Sequence, residues 1–309
     1  MTENTAVLAA YGLSKAYGSC MALDGLNLMV RRGDIYGLVG RNGAGKTTII
    51  RMVAGQAPVT SGEITLFGES TNTGLNRVRA RTGAMIEIPS FYPYLSAREN
   101  LEYYRRQRGI PGKQVVDEAL TQVGLADTGK KKFKAFSLGM KQRLGLGLAL
   151  MNHPDFLLLD EPINGLDPEG IVEFRNIILN LNRERGTTIL ISSHILSELS
   201  NVATSYGFID KGQMLEQISA AALHEKCRAC LEITVDDPAK AAAALERELG
   251  TTAFEALPNG VLRLHEYLDA PQKVLLVLTQ AGIAISNLEN KSTDLEEYFL
   301  KLIGGEKNA

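Results

Sequence analysis

Gly40-Arg41-Asn42-Gly43-Ala44-Gly45-Lys46-Thr47-Thr48 is the stretch that decides the fold. Before it runs Ile35-Tyr36-Gly37-Leu38-Val39, an apolar segment that predicts a buried strand. After it, Ile49-Ile50-Arg51-Met52-Val53-Ala54 predicts a helix continuing from Thr47. Strand, glycine loop, Lys-Thr and helix in that order form a phosphate-binding P-loop. Glycines 40, 43 and 45 let the backbone turn its N–H groups toward a polyphosphate with no side chain in the way. The helix start adds its positive end. Lys46 suits the β- and γ-phosphates and the Thr47 hydroxyl suits Mg²⁺. A glycine-rich turn before an ordinary helix is the plainer reading, and the flanking strand and helix weigh against it.

Working outward, Phe156-Leu157-Leu158-Leu159 predicts a second buried strand, ending in Asp160-Glu161-Pro162. Two carboxylates at the carboxyl end of a buried parallel strand stand where α/β sheets place their chemistry. Asn164-Gly165-Leu166-Asp167-Pro168 then leads into a helix to about Arg185. Residues 187–192 predict a third buried strand, ending in Ser193-His194. Between these segments, Ser96-Ala97-Arg98-Glu99 is a capping box that opens a helix to about Arg108, and Gln114 to Val123 forms another. Lys130 to Lys134 is a basic run, read as a solvated loop. Phe136-Ser137-Leu138-Gly139-Met140-Lys141-Gln142-Arg143 heads a helix that stops at His153-Pro154.

Residues 6–39 predict short strands with turns. Tyr17 there has two readings, a ring that stacks on a purine and a tyrosine packing an edge strand. Tyr206 to Asp210 and Met214 to Gln217 read as a hairpin. Residues 219–229 are Ala-rich and read as a link between domains. Beyond them the order strand, helix, strand, strand, helix, strand is a ferredoxin-like pattern, with a turn at Pro258-Asn259-Gly260 and a last helix over 293–303. The expected architecture is therefore α/β, with a P-loop NTPase domain over 1–218. A smaller α+β domain covers 219–309.

The 309 residues suffice for two domains, and 45% hydrophobic with 22% charged content fits a folded soluble protein. A formal net charge of −2 gives no global field for nucleic acid, so no nucleic-acid partner is expected. Met1 to Thr5 lack the layout of a secretion signal, and no apolar run is long enough to span a bilayer. Three cysteines argue against a disulfide framework and for a reducing cytoplasm. Cys227 and Cys230 form one CxxC with His224 nearby. A zinc site wants four ligands and no second pair exists, so these read as small residues at a domain junction. His153 reads as a helix-end residue and His265 as a strand surface residue.

The order of these motifs resembles the nucleotide-binding subunits of ABC transporters over roughly residues 5–218, and more weakly to the carboxyl end. The resemblance implies an ABC ATPase fold, with an N-terminal antiparallel β portion and a helical subdomain at about 90–152, and an ATPase that uses ATP and Mg²⁺. Residues 40–48 look like Walker A, so Arg41, Asn42, Gly43, Ala44, Gly45, Lys46, Thr47 and Thr48 are implied to hold the nucleotide. Residues 156–161 look like Walker B, which implies that Asp160 orders the Mg²⁺ shell and Glu161 orients the attacking water. His194 matches the switch histidine, Tyr17 the aromatic that stacks on adenine, and Asp167 the D-loop aspartate. Ser137 and Gly139 agree with the Leu-Ser-Gly-Gly-Gln signature, whereas Leu138 and Met140 depart from it. Even so, a serine hydroxyl, the Gly139 N–H and a helix start can hold a γ-phosphate across a dimer interface. Glu87 stands where most members carry glutamine, implied near Mg²⁺ and the catalytic water. With Ile86-Glu87-Ile88-Pro89-Ser90-Phe91-Tyr92-Pro93 it looks like the subgroup of bacitracin-resistance and lantibiotic-immunity exporters.

The resemblance further implies a head-to-tail dimer of two copies around ATP. A separate membrane permease would dock near Glu87 and residues 95–150, placing the chain on the cytoplasmic face of the membrane. Two rival readings are a soluble ABC ATPase uncoupled from transport and a regulatory module that holds ATP without hydrolysing it. The first usually needs two fused cassettes or coiled-coil arms, which are missing here. Glu161 and His194 argue against the second, and the altered signature and Glu87 leave it open.

Overall fold

The computed structural model describes residues 6–87, 90–257, 260–291 and 295–304. Ile88 and Pro89, the turn residues Pro258 and Asn259, Thr293 and the first five residues lie outside them. The chain divides into two compact units, Met1–Ala220 and Ala221–Ala309.

The first unit begins with strands β1 (Ala6–Tyr17), β2 (Cys20–Arg31) and β3 (Ile35–Gly40), helix α1 (Lys46–Val53) and strand β4 (Ser61–Leu66). Helix α2 (Asn72–Val78), strand β5 (Thr82–Met85) and helices α3 (Ala97–Gln107), α4 (Gln114–Gln122) and α5 (Leu138–Leu150) follow. The unit closes with β6 (Phe156–Asp160), α6 (Pro168–Arg185), β7 (Thr188–Ser193), α7 (Leu196–Leu199), β8 (Ser205–Asp210) and β9 (Gln213–Ser219).

The core sheet has the order β5-β6-β7-β3-β8-β9, parallel except for the edge strand β9. Every residue of β3, β6 and β7 is buried, as expected of parallel strands covered on both faces. Because these strands run the same way, the residues that follow each of them emerge along one edge. A second, antiparallel sheet, β2-β1-β4, forms the N-terminal β portion. Side chains from both sheets and from α1 share one core, with Leu8, Leu26, Ile49, Ile64, Leu158 and Ile209 among its members.

Residues 6–31 form two twelve-residue strands where the sequence pattern suggests several short ones. Register shifts between Ala10 and Leu13, and again to Lys15, break the two-residue alternation that marks a strand. Helix α2 also escapes the pattern. Asn, Thr, Gly and Val are poor helix formers, but the Thr71 side chain accepts from Gly74 N–H and starts the turn.

Helices α3, α4 and α5 pack together as the helical portion. The Ser96–Glu99 capping box is formed at the start of α3: the Ser96 hydroxyl accepts from Glu99 N–H, and the Glu99 carboxylate accepts from Ser96 N–H.

The second unit contains most of helix α8 (Ala220–Lys226), then β10 (Cys230–Val235), α9 (Pro238–Leu249), β11 (Phe254–Leu257), β12 (Val261–Leu264), α10 (Pro271–Gln280), β13 (Ile285–Lys291) and α11 (Leu295–Gly304). The sheet order β11-β12-β10-β13 is fully antiparallel, the split βαβ arrangement that the strand and helix order predicts. Leu231, Ile233, Leu262 and Leu264 bury one sheet face against Ala241, Leu245, Val274 and Leu278 of α9 and α10. The stretch read as a linker carries helix α8; its Ala-Ala-Ala-Leu run is a strong helix former.

Candidate functional site

The P-loop leaves β3 at Gly40 and enters α1 at Lys46. Gly45 caps α1 with φ of 110°, a conformation open to glycine and strained for other residues. The back of the loop is tied down by Gly212 N–H, which donates to Ala44 O at 3.0 Å, while Asp24 N–H donates to Gly212 O at 3.0 Å. The Lys46 ammonium is almost fully buried. It donates to Gly40 O at 2.7 Å and to Arg41 O at 3.2 Å.

Two strand ends, of β6 and β7, bring the rest of the cluster to this loop. Thr47 Oγ1 donates to Asp160 Oδ2 at 2.8 Å, joining α1 to the end of β6. Ser192 Oγ on β7 donates to Asp160 Oδ1 at 2.7 Å and accepts from Glu161 N–H at 3.0 Å. Glu161 follows β6 with φ of 46°, a left-handed conformation for a non-glycine residue. Its carboxylate lies between two partners: Oε1 is 3.1 Å from Lys46 Nζ and Oε2 is 2.8 Å from His194 Nδ1. The Lys46 approach is an ion pair only, because Oε1 is buried and accepts no hydrogen bond of good geometry among the described residues. The result is a Lys, a Glu and a His in line beside a Thr, Asp and Ser cluster of oxygens.

Other residues singled out in the sequence lie outside this bonded cluster. Glu87, with φ of 63°, ion-pairs with Arg51 in the last turn of α1. Tyr17 is half exposed at the end of β1, with Lys15 Nζ 4.8 Å from its ring centre. Ser137 is exposed and caps α5, accepting from Met140 N–H at 3.2 Å. Asp167 is exposed and caps α6, accepting from Gly170 N–H at 3.0 Å. Arg41, Asn42 and Gly43 are exposed on the loop, with Ala44 buried beneath them and Thr48 half-buried.

Ser192, Arg51 and Gly212 were not singled out by sequence. Ser192 had a signal: two parallel strands, one ending in Asp-Glu and one in Ser-Ser-His, place a serine beside an aspartate if they are neighbours. The register pairs Asp160 with Ser192.

A parallel sheet with a phosphate loop, an Asp-Glu pair and a histidine along one edge defines a P-loop ATPase cassette. The family model for ABC transporters matches residues 23–164. The bacitracin transport ATP-binding protein BcrA of Bacillus licheniformis is 43% identical over 97% of this chain and 98% of its own length. The lantibiotic transport ATP-binding protein SrtF of Streptococcus pyogenes is 42% identical over 68% of this chain and 89% of its own length. Among solved structures, the ATP-binding cassette MJ0796, a dimer in a post-hydrolysis state bound to ADP and Pi, superposes with a TM-score of 0.62. It is 21% identical and covers 69% of this chain and 98% of its own, a likeness of fold. The chain belongs to the ABC transporter family, as an ATP-binding subunit that hydrolyses ATP. Among the described residues no helix is long and apolar enough to cross a membrane.

Proposed function

We propose that this chain powers the export of a peptide antibiotic through a separate membrane permease, working as a head-to-tail pair of copies on the cytoplasmic face. The relatives named for bacitracin and lantibiotic transport support the cargo class, and the first of them aligns through the C-terminal unit as well. The observation that carries the catalytic reading is Glu161 set between Lys46 and His194, with one buried carboxylate oxygen that accepts no hydrogen bond.

Phosphoryl transfer from ATP needs positioning and charge neutralisation more than covalent chemistry. The P-loop N–H groups and Lys46 hold the β- and γ-phosphates. The Thr47 hydroxyl and Asp160 carboxylate, 2.8 Å apart, are the hard oxygen donors that suit Mg²⁺. When bound there, Mg²⁺ neutralises charge on the phosphate oxygens. Ser192 orients Asp160. Glu161 aims the water, His194 fixes the Glu161 carboxylate and reaches the γ-phosphate, and Tyr17 stacks on the adenine. Glu87 borders this site from the Arg51 side. Ser137 and the Gly139 N–H, at the start of α5, serve the γ-phosphate held by the other copy, and Asp167 faces that copy.

The test is Glu161→Gln in the full chain. ATP binding is retained, turnover falls by at least about a hundredfold, and the ATP-loaded variant forms a dimer that co-purifies with a polytopic membrane protein. Undiminished hydrolysis would remove Glu161 from its role. A strictly monomeric ATP-loaded variant would remove the paired-site reading, and co-purification with ribosomes instead would favour a soluble ATPase.

A further inference from the structure

The strand alternation of the C-terminal unit leaves one sheet face without α9 and α10. Leu231, Ile233, Leu262 and Leu264 point into the core, so Cys230, Glu232, Arg263 and His265 fall on the opposite face. The antiparallel register extends that face sideways: Glu232 pairs with Arg263, Arg263 with Glu255, and Cys230 with Lys291. This face is polar, and with α8 and α11 it lines a half-open cavity of about 480 Å³. Every described lining residue belongs to the second unit. The volume falls within the roughly 300–1,000 Å³ usual for small-molecule sites and exceeds what a lone inorganic ion fills.

The wall is cationic. Among the described residues Lys226, Arg228, Arg263, Lys291 and Lys301 line it, with Glu225 and Glu255 as the lining carboxylates. Glu232, on the same face, is mostly buried, 2.5 Å from Lys291 Nζ and 3.1 Å from Arg263 Nε. That shared carboxylate holds two cations side by side. The Lys291 ammonium, with Arg263 beside it, holds Glu232 below the usual carboxylate range, so the support stays charged. Lys226 Nζ donates to the Tyr298 hydroxyl at 2.9 Å, bringing a phenol to the same wall. Glu289 and Glu297 brace Lys291 and Lys301 from outside it. These carboxylates bring the wider neighbourhood close to neutral. Selection therefore depends on short contacts with the cation heads rather than on a long-range field. Burial pushes the Cys230 thiol up, so the wall offers no thiolate, and the described residues hold no cluster suited to a metal.

We propose that this cavity binds a small phosphate-bearing anion, met by the Arg263 and Lys291 pair on the sheet and by Lys226 and Lys301 on the two helices. Arginine forks and lysine ammoniums on three sides suit the many oxygens of a phosphate group. The site is built from residues of the C-terminal unit and shares none with the P-loop.

The experiment titrates inorganic pyrophosphate calorimetrically into the full chain carrying Lys46→Ala, which cripples the P-loop as a competing site. One saturable equivalent is expected, weakened at least about tenfold by Arg263→Gln and by Lys226→Gln. The second variant lies on a helix away from Glu232 and guards against a folding defect in the first. With Lys46 intact, both variants keep basal ATP hydrolysis. A parallel arm floats the same proteins with phosphatidylglycerol vesicles. Pyrophosphate binding without flotation assigns the phosphate to a free molecule; flotation lost in the same variants assigns it to a lipid headgroup. No saturable binding in either arm, or binding that both variants leave unchanged, overturns the proposal.

Discussion

Ser192 Oγ donates to Asp160 Oδ1 across two neighbouring strands and, with its lone pair, receives Glu161 N–H. One hydroxyl thus fixes the orientation of the proposed magnesium ligand and the backbone of the proposed water-aiming residue. Glu161 needs that support, because its left-handed backbone is costly for a residue with a side chain. Ser192→Ala leaves Asp160 short of one donor and Glu161 N–H short of its acceptor. Partners of this kind typically change metal affinity about 10–100-fold when removed. The expected outcome is a rise of about that size in the Mg²⁺ concentration for half-maximal ATP hydrolysis, with metal-free nucleotide affinity nearly unchanged. An unaltered Mg²⁺ dependence would leave Ser192 a purely structural residue.

How far the sequence shows this site depends on the distance between its parts along the chain. The P-loop is legible because its parts are contiguous and its strand and helix flank it. Asp160, Glu161 and His194 are legible as polar ends of apolar strands, although their roles follow from resemblance. Ser192 is not legible alone, since its part depends on β7 lying beside β6 in one register. The cavity of the second unit is hidden for the same reason: its walls span Glu225 to Lys301 and come from both helices and strands. Helix α2 is hidden because its residues have poor propensity and tertiary packing decides.

The P-loop glycines are not equivalent. A Cβ at Gly45 would stand 2.6 Å from Leu23 Cδ2 and 2.9 Å from Ala22 O, on a backbone with φ of 110°. A Cβ at Gly43 would meet nothing within 4 Å, and only its φ of 81° resists substitution. Gly43→Ala therefore carries backbone strain of about 1–3 kcal/mol. Gly45→Ala adds a clash with main chain that moves Lys46 with the loop. Gly45→Ala is expected to weaken ATP binding at least about tenfold more than Gly43→Ala in a fluorescent-nucleotide titration. Equal losses would show that strain, not space, governs the loop.

The capping box of α3 gives a pH signature. The Ser96 backbone N–H, then its hydroxyl, then Lys132 hold the Glu99 carboxyl down at about 2, from an ordinary value of 4.5. A depressed acid contributes stability that is complete above its unfolded value and is lost as pH falls through its folded value. The difference in Tm between the native chain and Glu99→Gln should therefore be constant from neutral pH to about 5. It should then shrink between about 4.5 and about 2. A difference that holds constant into that range would place the contribution of Glu99 in packing rather than in its charge.

Asn100 joins that same helix to the segment before it. The residue is fully buried; its Nδ2 donates to Ser96 O at 3.0 Å and Tyr92 O at 3.2 Å, and its Oδ1 accepts from Tyr92 N–H at 2.8 Å. One amide thus satisfies both backbone groups of Tyr92, whose ring is exposed beside Tyr103 on the surface proposed to meet the permease. Asn100→Ala removes these bonds at once and leaves buried polar groups unpaired, at about 2–3 kcal/mol. Denaturant unfolding followed through the helical portion should show that loss. The P-loop cluster shares no bond with Asn100, so ATP affinity should hold while stimulation of hydrolysis by the permease falls. A variant with native stability and full stimulation would mean that the 92–96 segment keeps its path without the amide.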